Sequence, residues 1–184
     1  MTQLGDVEAE RTVWVTTSIP PSAAGYVVTL EASADLARTL TPDESLTYAA
    51  GVLAAAARAE YDAAVLAQMT SEKLGLPMQV AAEVIQELRK DRPPLDPAIT
   101  WPFTFEPGVT KELHPFIKII CGGEPIGQWD VSDARSHAMG VLQSVAVADL
   151  DSAYLRALVG SVGLDRNRGM HVVDDLSNYR EAVL

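Results

Sequence analysis

Gly51-Val52-Leu53 and Gly140-Val141-Leu142 are the same three residues 89 positions apart, and what flanks them decides the fold. At that shift Val27-Val28-Thr29-Leu30 falls on Phe116-Ile117-Lys118-Ile119, Asp62 on Asp151, Ala64 on Ala153 and Leu66 on Leu155. One deletion later, at a shift of 88, Gly75-Leu76 falls on Gly163-Leu164, Val84-Ile85 on Val172-Val173 and Leu88 on Leu176. One triplet could recur by chance. Strand, helix start, helix break and second helix recurring in order read as an internal repeat.

Each matched block does the same physical work. In the first half residues 12–18 are β-branched and aromatic, which predicts a strand. Pro20-Pro21 and Ala23-Ala24-Gly25 predict a loop, followed by strands over 26–32 and 35–40. In the second half the strands are predicted over 100–106, 116–121 and 126–130. Gly122-Gly123-Glu124-Pro125 joins the last two as a hairpin, because glycine reaches positive φ at little steric cost. Val28 and Leu30 share a strand face, as do their mates Ile117 and Ile119 with Cys121 continuing the row; this is the expected core face.

Thr41-Pro42-Asp43-Glu44 reads as a capping box with proline at the first helical position. The aligned Asp130-Val131-Ser132-Asp133 offers an aspartate cap and an acid for the helix dipole. Long helices follow over 42–73 and 132–162. Their expected buried stripes are Leu46, Ala50, Leu53, Ala57 and Ala64 in one, and Ala138, Val141, Val145, Ala148 and Leu155 in the other. Gly51 and Gly140 sit mid-helix, where glycine costs about 1 kcal/mol against alanine, so they are expected to mark a close approach of the two helices. The helices break at Gly75-Leu76-Pro77 and Gly163-Leu164-Asp165. Second helices over 78–90 and 166–180 carry Val80, Val84, Ile85, Leu88 and Val172, Val173, Leu176, Tyr179. The expected fold is α+β, a duplicated β-β-β-α-α unit with pseudo-twofold symmetry, its antiparallel sheet or sheets covered on one face by long helices. Repeat unit 1 spans 1–92, a proline-rich linker 93–99, and repeat unit 2 100–184, both expected within one compact domain.

The bulk numbers narrow the class. Hydrophobic residues at 48% and charged residues at 21% describe an ordinary globular mixture, not a disordered chain. No apolar run approaches the roughly 20 residues of a membrane helix, and residues 1–11 hold no apolar signal core. The single cysteine, Cys121, excludes an intrachain disulfide and suits a reducing cytoplasm. A net charge of −11 repels phosphate backbones and anionic membranes; it serves solubility, or an acidic face that meets a basic partner.

Catalytic and metal chemistry find little footing. His114, His137 and His171 are widely spaced and lack second ligands at metal spacing, so no metal or cofactor is expected. Asp133, Ser136 and His137 do not close a triad, since Ser136 points off the face that Asp133 and His137 share, and all three read as surface. Glu60, Asp62, Asp149 and Asp151 read as an exposed acidic stripe paired with Arg58 or Arg156. The expectation is a protein without enzymatic activity.

Two interaction features remain. Segments 70–89 and 158–176 resemble the turn and second helix of a helix-turn-helix reader, with Arg166, Arg168 and His171 as candidate nucleic-acid contacts. The first segment shows Gln79, Glu83, Gln86 and Glu87, the wrong sign for a phosphate-lined groove. Trp14, Trp101 and Trp129 are candidate anchors for a protein partner, and Trp101, Phe103 and Phe105 alternate along one strand face. Residues 122–130 running into Ala134, together with Tyr154-Leu155-Arg156-Ala157-Leu158, resemble small acidic proteins of actinobacteria and their bacteriophages. That resemblance implies an origin and carries over no functional residue. The leading expectation is a cytoplasmic protein-interaction protein, a phage or accessory factor and plausible homodimer, that presents an acidic surface to a host or self partner. The alternative is a DNA-binding regulator.

Overall fold

The computed structural model describes residues 16–23, 25–33, 36–93 and 103–183. Its elements are β1 (Thr16–Ser18), β2 (Val28–Ser33), β3 (Leu36–Leu40), α1 (Pro42–Thr70), α2 (Met78–Lys90), β4 (Phe103–Val109), β5 (Pro115–Cys121), β6 (Glu124–Asp130), α3 (Val131–Gly160) and α4 (Arg166–Val183). The order β-β-β-α-α thus occurs twice. Two antiparallel three-stranded sheets form, β1-β2-β3 and β4-β5-β6.

Local chemistry explains the boundaries. The Thr41 box closes as expected: the Glu44 amide donates to Thr41 Oγ1 at 3.3 Å, and the Thr41 amide donates to Glu44 Oε2 at 2.8 Å. That backbone donor, followed by the Thr41 hydroxyl, holds the Glu44 carboxyl below its ordinary pKa. The β5–β6 turn is tighter than expected. Cys121 pairs with Glu124, so Gly122 and Gly123 alone make it, with φ of 60° and 89°. Glu124 and Pro125 belong to β6, and Pro125, which has no amide proton, sits where the register slips between Ile119 and Ile120. Strand β4 runs through Pro107 to Val109, past the expected end at 106, because it is an edge strand and tolerates a missing donor.

The strand faces fall as expected, with Val28, Leu30, Ile117, Ile119, Phe103 and Phe105 all buried. The α1 stripe does not. Leu46, Ala50, Ala57 and Ala64 are exposed, and the buried face is Ser45, Tyr48, Ala49, Val52, Ala55, Ala56, Ala59, Asp62, Ala63 and Leu66. On so alanine-rich a helix, size contrast is too weak to fix the phase. The α3 stripe is right, and each buried α3 residue from Ala134 to Leu155 falls, at the shift of 89, on a buried residue of α1. Gly140 does not mark a close approach, since a Cβ there would meet nothing within 4 Å.

The compact units are not the two halves of the sequence. Among the described residues one unit comprises 47–93 and 103–138, the other 16–46 and 139–183. Each therefore combines the sheet of one half with the helical hairpin of the other. Length supplies a reason. Helix α1, with 29 residues, is about 44 Å long, whereas strands of six or seven residues span about 20–23 Å. The helix leaves β3 after a single residue, and its residues from Thr47 on belong to the first unit. In the first unit Leu66, Ala81 and Ile85 pack with Val109 and Leu113. In the second, the Tyr26 amide donates to Ser152 Oγ at 2.8 Å and the Tyr26 hydroxyl to Asp174 at 2.9 Å. Burial, then the Asp174 bond, raise the Tyr26 phenol pKa.

Candidate interaction surface

His137, expected on the surface, is mostly buried. Its Nε2 lies 3.0 Å from the Tyr48 hydroxyl, and its ring packs 4.8 Å from that of Trp129. Tyr48 also meets Phe105 edge-on, and Phe105 stacks on Trp129. Burial lowers the His137 pKa to about 4 and raises that of Tyr48, so both are neutral and hold a hydrogen bond inside an aromatic cluster. Ser136 is exposed and supplies no nucleophile to this pair.

Asp62 and Asp151, expected on an exposed acidic stripe, are buried. Asp62 is 0% exposed and clamped by two arginines of its own unit: Arg89 Nε at 2.8 Å and Arg92 Nη2 at 2.5 Å. Neither is the expected Arg58, which donates to the Pro93 carbonyl. Asp151 accepts from Ser177 Oγ at 3.0 Å. At the shift of 88 Arg89 falls on Ser177, so each buried aspartate is met by the same position of the following helix. The shifts of 89 and 88 align the residues of that pairing in the sequence; the acidic appearance of the stripe hid it. Contacts of this kind tie the two helices of each hairpin together. Among the described residues no three His, Cys, Asp or Glu side chains gather to hold a metal ion, and no helix is long and apolar enough to cross a membrane.

Trp129, expected as a partner anchor, is 4% exposed; its indole is spent on the Phe105 and His137 rings. Trp14 and Trp101 lie outside the described residues. Arg166, Arg168 and His171 are brought together on the exposed start of α4. Arg166 donates to the Ser22 carbonyl, and Arg168 pairs with Asp165 at 3.3 Å. Asp174 and Asp175 follow on the same helix.

The second helices, like the long ones, also carry exposed apolar residues. On α2, Val80 and Leu88 are open and Val84 half-buried between them, at spacings of four, while Ala81 and Ile85 turn inward. With Glu83, Gln86 and Glu87 they line a shallow groove of about 450 Å³. On α4, Val172, Leu176 and Tyr179 are open while Val173 is buried. At the shift of 88 Leu88 falls on Leu176; the two are 42% and 45% exposed, and Tyr179 is 69% exposed. Both helices edge these residues with exposed acids, Glu83 and Glu87 on α2, Asp174 and Asp175 on α4. The sequence showed the apolar residues but not that two faces of each helix carry them. Comparison with protein-family models, with curated proteins and with solved structures gives no match.

Proposed function

We propose that the protein is a non-enzymatic interaction protein whose second helices, α2 and α4, dock a host or self partner. The observation that carries this reading is the matched exposure of Leu88 and Leu176, each on an apolar row beside exposed carboxylates. Apolar side chains left open in helical register, on helices that already bury a separate apolar face, suit a helix-in-groove contact. The acids beside them, and the net charge of −11, favour a partner segment with apolar residues at spacings of four flanked by lysine or arginine.

The same reading includes an origin by internal duplication, supported by the repeated element order, the matched buried faces of α1 and α3, and the matched aspartates. The resemblance of residues 122–134 and 154–158 to small acidic proteins of actinobacteria and their bacteriophages favours a bacterial host protein or a second copy of this chain as the partner.

The test is a Leu88→Lys, Leu176→Lys double variant used beside the wild type as bait. Both side chains are exposed, so folding by circular dichroism is expected to be unchanged. Support is a purified partner, or self-association by light scattering, that the wild type binds and the variant does not. The reading fails if every association of the wild type survives the double variant. Retention on duplex DNA at low ionic strength, abolished by Arg166→Gln and Arg168→Gln, would favour the regulator reading in its place.

A further inference from the structure

The loop before β2 and the α3–α4 hairpin enclose a pocket of about 240 Å³ in the second unit. Leu155 and Val159 form its apolar wall, Gly25 and Ser152 its side, and Arg156 and Arg166 complete its lining. The pocket is built, not a gap left by loose packing. Gly25 lies so close to α3 that a Cβ would sit 2.5 Å from Ser152 Oγ, and its φ of 151° disfavours a side chain. Ser152 Oγ meanwhile accepts from the Tyr26 amide, which fixes the loop against the helix. Arg166 is anchored through the Ser22 carbonyl. Behind the wall, Gly169 of α4 packs against Leu155 and Val159, within 3.0 and 3.4 Å of where its Cβ would be.

The corresponding region of the first unit is closed. There Leu113, held at a left-handed φ of 66°, packs with Val109 and Met69 onto Leu66, Ala81 and Ile85. In the repeat register Leu66 is the mate of Leu155, and Ala81 of Gly169. The residues aligned with Arg156 and Arg166 are Ala67 and Met78, and the residue aligned with Leu113 is the smaller Ala24, itself outside the described residues. One hairpin is thus plugged by a leucine strained into an unfavourable backbone region. The other holds the pocket and has arginine at two of its diverged positions, in a chain that has only 14 basic residues against 25 acids.

We infer that this pocket binds a small organic carboxylate with a short aliphatic body. Guanidinium forks match the planar carboxylate and hold it by paired N–H donors, whereas the Leu155–Val159 wall accepts the hydrocarbon. At about 30 Å³ per water-sized group the volume admits about eight heavy atoms. The site does not depend on the exposed rows of α2 and α4, so either reading can fail alone.

The probe is 4-methylpentanoate, titrated into the full chain with amide resonances as the readout. Saturable shifts centred on Gly25, Ser152 and Gly160 are expected, with a Kd of about 1–10 mM for so small a ligand. The uncharged 4-methylpentanamide and inorganic phosphate are each expected to bind about tenfold more weakly or worse. Arg156→Gln should weaken 4-methylpentanoate by about tenfold with an unchanged melting temperature; it serves alone if Arg166→Gln disturbs the Ser22 loop. The inference is overturned if the wild type shows no saturation, if the amide or phosphate binds as well as the carboxylate, or if Arg156→Gln binds like the wild type.

Discussion

Replacing Asp62 by asparagine leaves the shape of the site intact and removes only its charge. The carboxylate is fully buried and takes Arg89 at 2.8 Å and Arg92 at 2.5 Å, one on each oxygen. An asparagine keeps one acceptor and turns its NH2 toward the other guanidinium, so two donors face each other and both arginines lose their shared counter-charge. Breaking a buried pair this way costs about 3–5 kcal/mol. The side chain of Arg89 is 36% exposed and water recovers part of its loss, which places the expected cost near the lower end, about 3 kcal/mol. The control is Glu60→Gln, which breaks the Arg135 pair at 2.5 Å between side chains 41% and 50% exposed. There the expected cost is below about 1 kcal/mol. Urea denaturation followed by far-ultraviolet circular dichroism measures both, and at about 2–4 °C per kcal/mol the Asp62→Asn melting point should fall by about 6–12 °C. An Asp62→Asn loss no larger than that of Glu60→Gln would refute the account of Asp62 as the clamp that fixes the α1–α2 hairpin.

Acid should act through His137. Its folded pKa of about 4 lies below the ordinary 6.5, so the unfolded chain takes up the proton first. The stability it contributes is whole above pH 6.5 and is lost as pH falls toward about 4, by about 3 kcal/mol at most. Urea midpoints across that range should slope less in His137→Gln than in the wild type, and equal slopes would contradict this. Thr41→Ala, which removes the cap of α1, should cost about 1 kcal/mol in the same denaturation assay. In Gly108→Ala the new methyl would run into the Phe116 ring across the β4–β5 pair, at a cost of about 1–3 kcal/mol. Adding Phe116→Leu should return part of that loss; a double variant weaker than the sum of the singles would locate the strain elsewhere.

The letters alone determined what depends on neighbours in sequence. The Thr41 box, the Gly122-Gly123 turn, the limits of α2 and the inward faces of β2 and β5 all follow from backbone preferences and a period of two. The shift of 89 also aligned Asp62 with Asp151 before their surroundings were known. Tertiary structure decided what each aligned residue meets. The phase of α1 could not be read, because alanine is nearly as content in water as in a core, and only packing placed Leu46 outside and Ala49 inside. Two aspartates looked like solvated charge because their partners lie a helix away. The crossing of each hairpin to the sheet of the other half was invisible for the same reason. It arises from a helix too long for the strands that precede it, a property of distances in space that residue order does not contain.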